Sequence, residues 1–297
     1  MATASFLMAS YGNATQADES DWNTNSISDA RCLIEESEPD ECLRPEQHVT
    51  TSSSVTSGHR FRSDWPFVWP LCAALAITVA ILATNSDLRV AEAMFDRDAG
   101  TWIFASNSLL KFVYRYGPLP GVFAGIAAAF VAIFGRGVLP RGVWSESHDI
   151  RRACLFLALL LVIGPGLIIN SGLKSMWGRP RPSECQQFGG DRNFTPVGVA
   201  THQLKPNSSF PSGHASMAFY WMAPGFIFAH RRRCLSLGFF AGGTAYGLAM
   251  GAIRIAQGGH FLSDVIWAGA IVYLVGVVLA RLVLHGQGWS DRGAEHE

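Results

Sequence analysis

The chain has 297 residues, of which 49% are hydrophobic and only 15% charged, with a formal net charge of zero. Soluble domains carry about 25% charged residues, so this chain is short of the charge that a water-exposed surface needs, and its mean hydropathy of +0.19 agrees. Zero net charge gives a nucleic-acid partner no electrostatic support.

In chain order, residues 1–63 come first and differ from the rest. Asp18 to Glu46 holds many carboxylates and few cations among Ser, Thr, Asn and Gln. Such a segment cannot bury enough apolar surface to offset chain entropy, which predicts an acidic, disordered cytoplasmic tail. Met1 to Tyr11 lacks the basic stretch of a cleaved signal peptide, so the first membrane helix is expected to act as an uncleaved insertion signal.

Charge-free runs follow at Trp65–Ser86, Tyr116–Gly135, Ala153–Leu173 and Cys234–Ile253. Each is near the ~20 residues with which a helix crosses a bilayer. Two shorter runs, Ala215–Ala229 and Val265–Ala280, extend through His214 and through Arg281 to Leu284. These six segments predict an all-α, six-helix transmembrane bundle over residues 64–285, followed by a polar tail, 286–297. An outer loop from Lys174 to Phe210 is expected to contain a short helix or two and to carry part of the site. Arg136, Arg141, Arg151 and Arg152 lie between the second and third runs, and Arg231 to Arg233 between the fourth and fifth. Basic short loops stay inside, which places both termini in the cytoplasm. Gly164-Pro165-Gly166 predicts a kink or close-packing point, and Trp65 and Trp69 suit an interfacial belt. The six cysteines show no metal-type pairing, and Cys185, the one in the outer loop, reads as a free thiol.

Three polar segments fall at helix ends on the same outer face. The first runs from Lys174 through Arg181 and Pro182; the second is Pro211-Ser212-Gly213-His214; the third runs from Arg254 through His260 to Asp264. Lys174, Arg181 and Arg254 can neutralise a phosphate, the arginines with paired donors. Ser212 and Gly213 open a helix, where unpaired N–H groups face an anion. A histidine oriented by a carboxylate can act as nucleophile, and a second can protonate a leaving oxygen. Phosphoryl transfer needs little beyond this positioning and charge neutralisation.

The pattern K-x6-R-P, then P-S-G-H, then R-x5-H-x3-D resembles that of the type-2 phosphatidic acid phosphatase and haloperoxidase superfamily, over roughly residues 65–284. The resemblance implies that His260 attacks phosphorus, that Asp264 orients it, and that His214 protonates the leaving group. Lys174, Arg181, Ser212, Gly213 and Arg254 would hold the phosphate oxygens, with neither metal nor cofactor. One departure is Ile253, where the family commonly has Ser before the arginine. Gly178-Arg-Pro-Arg-Pro, with Phe188-Gly-Gly and Phe194-Thr-Pro196, is similar to the lipid A phosphatase branch.

The implied partner is a lipid phosphate in the cell membrane: lipid A, a polyprenyl pyrophosphate or a phospholipid phosphate. A phosphotransferase that passes the group to another lipid would use the same residues. A non-catalytic lipid-binding protein would not need His214, His260 and Asp264 intact. Those three could also ligate zinc, but the neighbouring cations repel a metal. Singly, each cation reads as an interfacial residue reaching headgroups; the order, spacing and shared face of all three segments argue otherwise.

Overall fold

The computed structural model describes residues 67–138, 148–201 and 208–284, all within one compact unit, His59–Glu297. The expected tails 1–63 and 286–297, Trp65 and Arg141 lie outside the described residues.

Helix α1 (Val68–Thr84) forms in the first apolar run and stops at Asn85, which is left-handed at φ 52°. Asn tolerates that conformation better than most side chains. From there α2 (Ser86–Ala93) departs at 70°. A two-stranded antiparallel hairpin follows, β1 (Phe95–Asp96) with β2 (Thr101–Trp102), a small addition to the all-α expectation. Asp96 turns it by accepting the backbone N–H of Asp98 and of Ala99, each at 3.0 Å. Helix α3 (Ser108–Tyr116) starts under a cap in which Asn107 Oδ1 accepts Leu110 N–H at 3.0 Å, and it leads into α4 (Leu119–Val138).

Helix α5 (His148–Leu161) continues through a wider, π-wound stretch, Val162–Leu173, to a last turn at Lys174–Met176. The expected disturbance at Pro165 is thus spread over 12 residues rather than concentrated in one kink. Irregular backbone at membrane depth must find partners within the protein; here Asn170 Nδ2 donates to the Pro165 carbonyl at 2.7 Å. Two 3-10 turns, Pro182–Glu184 and Gln186–Phe188, are the short helices expected in the outer segment.

The Ala215–Ala229 run folds as α6 (Gly213–Phe219), a tight turn Tyr220–Met222, and α7 (Ala223–Phe228), pieces of 7, 3 and 6 residues. At 1.5 Å per residue they reach about 24 Å, less than the ~30 Å of a hydrocarbon core. Their side chains are the innermost of the bundle, with Ala215, Ala218, Phe219, Tyr220, Met222, Ala223 and Phe226 all buried. Helices α8 (Arg233–Ala256) and α9 (Leu262–Leu279, continuing to Leu284) pack around them. That packing is close: a Cβ on Gly243 would lie 2.4 Å from the Met222 backbone nitrogen, so only glycine lets α8 approach the broken helix there.

Among the described residues, four helices are long and apolar enough to cross a membrane: Ser108–Gly135, Asp149–Met176, Arg233–Ala256 and Leu262–Leu284. The bent α1–α2 pair makes five if it is one span. The sixth expected segment is the broken, buried one. Outward-facing Leu75, Val79, Phe123, Ile126, Ile133 and Leu237 are exposed, an apolar surface suited to lipid rather than water. Asp149, at the start of one span, pairs with Arg231, just before another, at 2.5 Å. Those two spans carry Lys174 and Arg254 at their far ends, so both helices run from this junction to the three-segment site.

Candidate active site

The fold brings the three polar segments together. The Ser212 N–H donates to the Asp264 carbonyl at 3.1 Å, joining the second segment to the third, and the Ser183 N–H donates to the Gly258 carbonyl at 3.0 Å, joining the first to the third. Gly258 is left-handed at φ +69°, and a Cβ there would meet the Trp102 indole at 2.3 Å. Hairpin β1–β2 therefore lies directly on the turn that presents His260.

His260 is fully buried. Its Nδ1 lies 2.7 Å from the Ser209 carbonyl oxygen and 3.6 Å from Asp264 Oδ2. A carbonyl oxygen can only accept, so Nδ1 carries the proton and Nε2 keeps its lone pair. Burial pushes the His260 pKa down to about 4, against the opposing pull of Asp264. The ring is therefore neutral at neutral pH, with its unprotonated nitrogen on the side away from Ser209.

Asp264 is held from several sides. Oδ2 accepts from Ser209 Oγ at 2.5 Å and from the Phe261 N–H at 2.8 Å; Oδ1 accepts from Arg179 Nη1 at 2.5 Å. Arg179 is as deeply buried as Asp264. Its Nη1 also donates to Ser263 Oγ at 2.8 Å, its Nη2 to Asp87 Oδ2 at 2.8 Å, and its Nε to the Thr195 carbonyl at 2.9 Å. The guanidinium lies over Phe261 at 4.4 Å and Phe194 at 5.8 Å. Burial alone would lower its pKa, but the Asp264 and Asp87 carboxylates outweigh that and raise it.

The other three cations contrast with Arg179. Lys174, Arg181 and Arg254 are close enough to act electrostatically on one another and on His214. Among the described residues none of the three forms an ion pair with a carboxylate. The Nε atoms of Arg181 and Arg254 are buried without a hydrogen-bond partner. Arg254 is steadied by Gln257, whose Oε1 accepts from Nη1 at 2.8 Å, and by the Tyr114 ring at 4.2 Å. Like charges held close together repel one another, and an anion bridging these cations removes that cost.

The second segment stands beside this cluster. Ser212 caps α6, its Oγ accepting the Ala215 N–H at 3.4 Å. A Cβ on Gly213 would lie 2.4 Å from Asn170 Oδ1 and 3.4 Å from Lys174 Nζ, so glycine is what leaves room for the Asn170 side chain at the helix start, with the lysine ammonium in contact range. The His214 ring packs against Tyr114, tilted by 34°, with centroids 4.3 Å apart. Every site residue named from the sequence is thus in one neighbourhood: Lys174, Arg181, Ser212, Gly213, His214, Arg254, His260 and Asp264.

Sequence reasoning missed Arg179, Asp87, Ser209 and Tyr114. Arg179 stood inside the first segment, but the K-x6-R-P spacing selects Arg181. Asp87 is the first charge after the first apolar run, and nothing local connects it with residues 176 positions on. Cys185 is a free thiol as expected, buried, with its pKa pushed up by that burial to about 11. Among the described residues no three His, Cys, Asp or Glu converge as a metal-ligand set.

The PAP2 superfamily profile matches residues 154–288. The chain is 35% identical over 194 residues to the lipid A 4'-phosphatase of Francisella tularensis subsp. novicida, an alignment covering 65% of this chain and 84% of that protein. It belongs to the PAP2 superfamily. A second relative, the lipid A 4'-phosphatase of Rhizobium leguminosarum, is 36% identical over 114 residues, 38% of this chain and about half (48%) of that protein. No solved structure matches the chain.

The neutral His260 has a consequence for stability. Its pKa is lowered from 6.5 to about 4 in the fold, so at intermediate pH the unfolded chain binds a proton that the native state refuses. Its contribution is complete above pH 6.5 and declines as pH falls toward about 4. The melting temperature of the purified protein is expected to fall between about pH 7 and about pH 4.5, and to fall less in His260→Gln.

Proposed function

We propose that this protein is a multi-pass inner-membrane lipid phosphatase that works through a phosphohistidine on His260. The observation that carries this reading is the cluster of Lys174, Arg181 and Arg254, none of them in an ion pair with a carboxylate among the described residues, beside a neutral buried histidine.

In the proposed cycle a phosphate monoester enters among the three cations, and its oxygens take the free donors of Arg181 and Arg254. The His260 Nε2 lone pair forms a bond to phosphorus, and the bond from phosphorus to the lipid oxygen breaks. His214 gives its proton to that oxygen, and the dianion beside it favours the protonated imidazole that this step needs. Water then attacks phosphorus while His214 takes its proton, the P–N bond breaks with its electron pair returning to His260 Nε2, and inorganic phosphate leaves. Asp264 stabilises the ring while it carries positive charge, as the acid of a catalytic triad does. No metal enters the cycle.

The substrate class that fits is a lipid phosphomonoester. Lipid A is the first candidate, because the relative covered over 84% of its length is a lipid A 4'-phosphatase. We further propose six crossings, with the broken segment Gly213–Phe228 as the fourth, both termini cytoplasmic and the site on the periplasmic face.

Two measurements test this reading. Phosphate release from a panel of lipid phosphates in detergent is expected to survive EDTA and to fall by at least about 10³-fold in His260→Ala. Loss of activity with EDTA would overturn the mechanism, and release that appears only with an acceptor lipid would make the enzyme a phosphotransferase. For topology, Gln187 is exposed in the outer segment. Gln187→Cys should react with a membrane-impermeant thiol reagent on intact cells once the outer membrane is permeabilised. Labelling only after lysis would place the site inside.

A further inference from the structure

Asp87 lies outside all three polar segments, on the helix that leaves the bent end of the first apolar run, yet it is buried at 3% exposure. A carboxylate so removed from water keeps its charge only against strong partners. Its partners are Arg179 Nη2 at 2.8 Å, the Ser263 N–H at 2.8 Å and Ser263 Oγ at 2.6 Å. All three belong to the machinery around His260. Ser263 stands in the first turn of α9, immediately before Asp264, and Arg179 bridges Asp87 to Asp264.

We infer that Asp87 is a positioning residue for His260, setting the charge and orientation of the Asp264 carboxylate through Arg179. The inference rests on the phosphohistidine reading for its kinetic consequence and on geometry alone for its electrostatic one.

Charge carries the first part of this coupling. Arg179 contributes one positive charge, and Asp264 and Asp87 one negative charge each, so the buried trio carries a net charge of −1. When Nε2 of a ring already protonated on Nδ1 bonds to phosphorus, the imidazole becomes cationic. The trio and the ring then sum to zero. Without Asp87, Arg179 would neutralise Asp264 outright, and the phosphorylated ring would face a neutral pair. Without Arg179, two carboxylates would stand together with no cation between them, and the ring would take a proton more readily.

The remaining charged groups facing His260 oppose its protonation: Lys174 and Arg254 both lower its affinity, and His214 is within electrostatic reach. None of these is altered by changes at positions 87 and 179. Orientation adds to charge. Asp87 Oδ1 holds the N-terminal turn of α9 in place, and that turn carries Asp264, four residues after His260.

The test uses the full-length protein in detergent with ¹⁵N-labelled histidine, following the His260 ring by NMR as pH is varied, so that no lipid substrate is needed. Arg179→Gln makes the trio −2 and is expected to raise the His260 pKa, while Arg179→Lys leaves it near the wild-type value. Asp87→Asn makes the trio neutral and lowers it. The double variant Asp87→Asn/Arg179→Gln restores −1 and is expected to bring the ring back toward wild type.

In lipid phosphate hydrolysis, Asp87→Asn is expected to lose about 10-fold or more in kcat with KM little changed, as residues that orient a reactive group commonly do. The double variant should recover part of that loss. A merely structural role predicts the reverse, with the double variant slower than either single one and its histidine titration not returned. That result, or a His260 pKa unmoved in every variant, overturns the inference. Melting curves identify a variant that does not fold, and Arg179→Lys against Arg179→Gln then decides the same question. If the titrations behave as expected but no lipid phosphate is hydrolysed even by the wild type, the proposed function fails and the electrostatic coupling stands.

Discussion

The guanidinium of Arg179 is held between the carboxylates of Asp264 and Asp87, with all three groups out of solvent. Moving such charges out of water costs several kcal/mol for each ion unless the geometry returns it. The bundle returns it by using the whole donor fork: two carboxylates, a serine hydroxyl and a carbonyl are satisfied at once. The consequences spread outward from there. The Arg179 carbonyl accepts the Ser209 N–H, and the Ser209 carbonyl in turn fixes the proton on His260. The segment that follows Lys174, the bent first helix and the start of α9 are thereby tied to one centre.

Two kinds of cation therefore stand side by side. Arg179 is compensated by two carboxylates and sets how Asp264 is held. Among the described residues Lys174, Arg181 and Arg254 form no ion pair with a carboxylate, and two of them keep an unbonded Nε. Both sets occupy the same end of the bundle and are separated by how they are paired. A phosphate dianion suits the uncompensated set, while the compensated set keeps Asp264 turned toward the ring that would attack it. Tyr114 joins the two functions of the uncompensated side, with its ring against both Arg254 and His214.

Much of this was legible in the chain. Long uncharged runs declare membrane helices because backbone groups in lipid must bond within their own segment. The four fullest of them appear as helices, and the three-part motif names residues that do converge. What could not be read followed from long-range geometry. The bend at Asn85 turns an unremarkable aspartate into a partner of Ser263, 176 positions away. The K-x6-R-P spacing singles out Arg181, and nothing in it shows that Arg179, two residues earlier, faces inward to carboxylates. The Ala215–Ala229 run has the composition of a crossing, but it is broken and buried, since a segment surrounded by protein need not be regular or long. The hairpin at 95–102 is too short for alternation to announce it, and its Trp102 matters only because it meets Gly258.

The central claim is that His260 Nε2 takes the phosphoryl group. The most direct measurement is to mix the enzyme with a ³²P-labelled lipid phosphate, quench within milliseconds in alkali, digest, and locate the label. His214→Ala, in which the second step should be slowed, is the background in which an intermediate would accumulate. The account predicts label that is stable to alkali, lost in acid, carried on the peptide containing His260, and absent in His260→Ala. Label on another residue, or rapid turnover with no phosphoenzyme in either background, would contradict it.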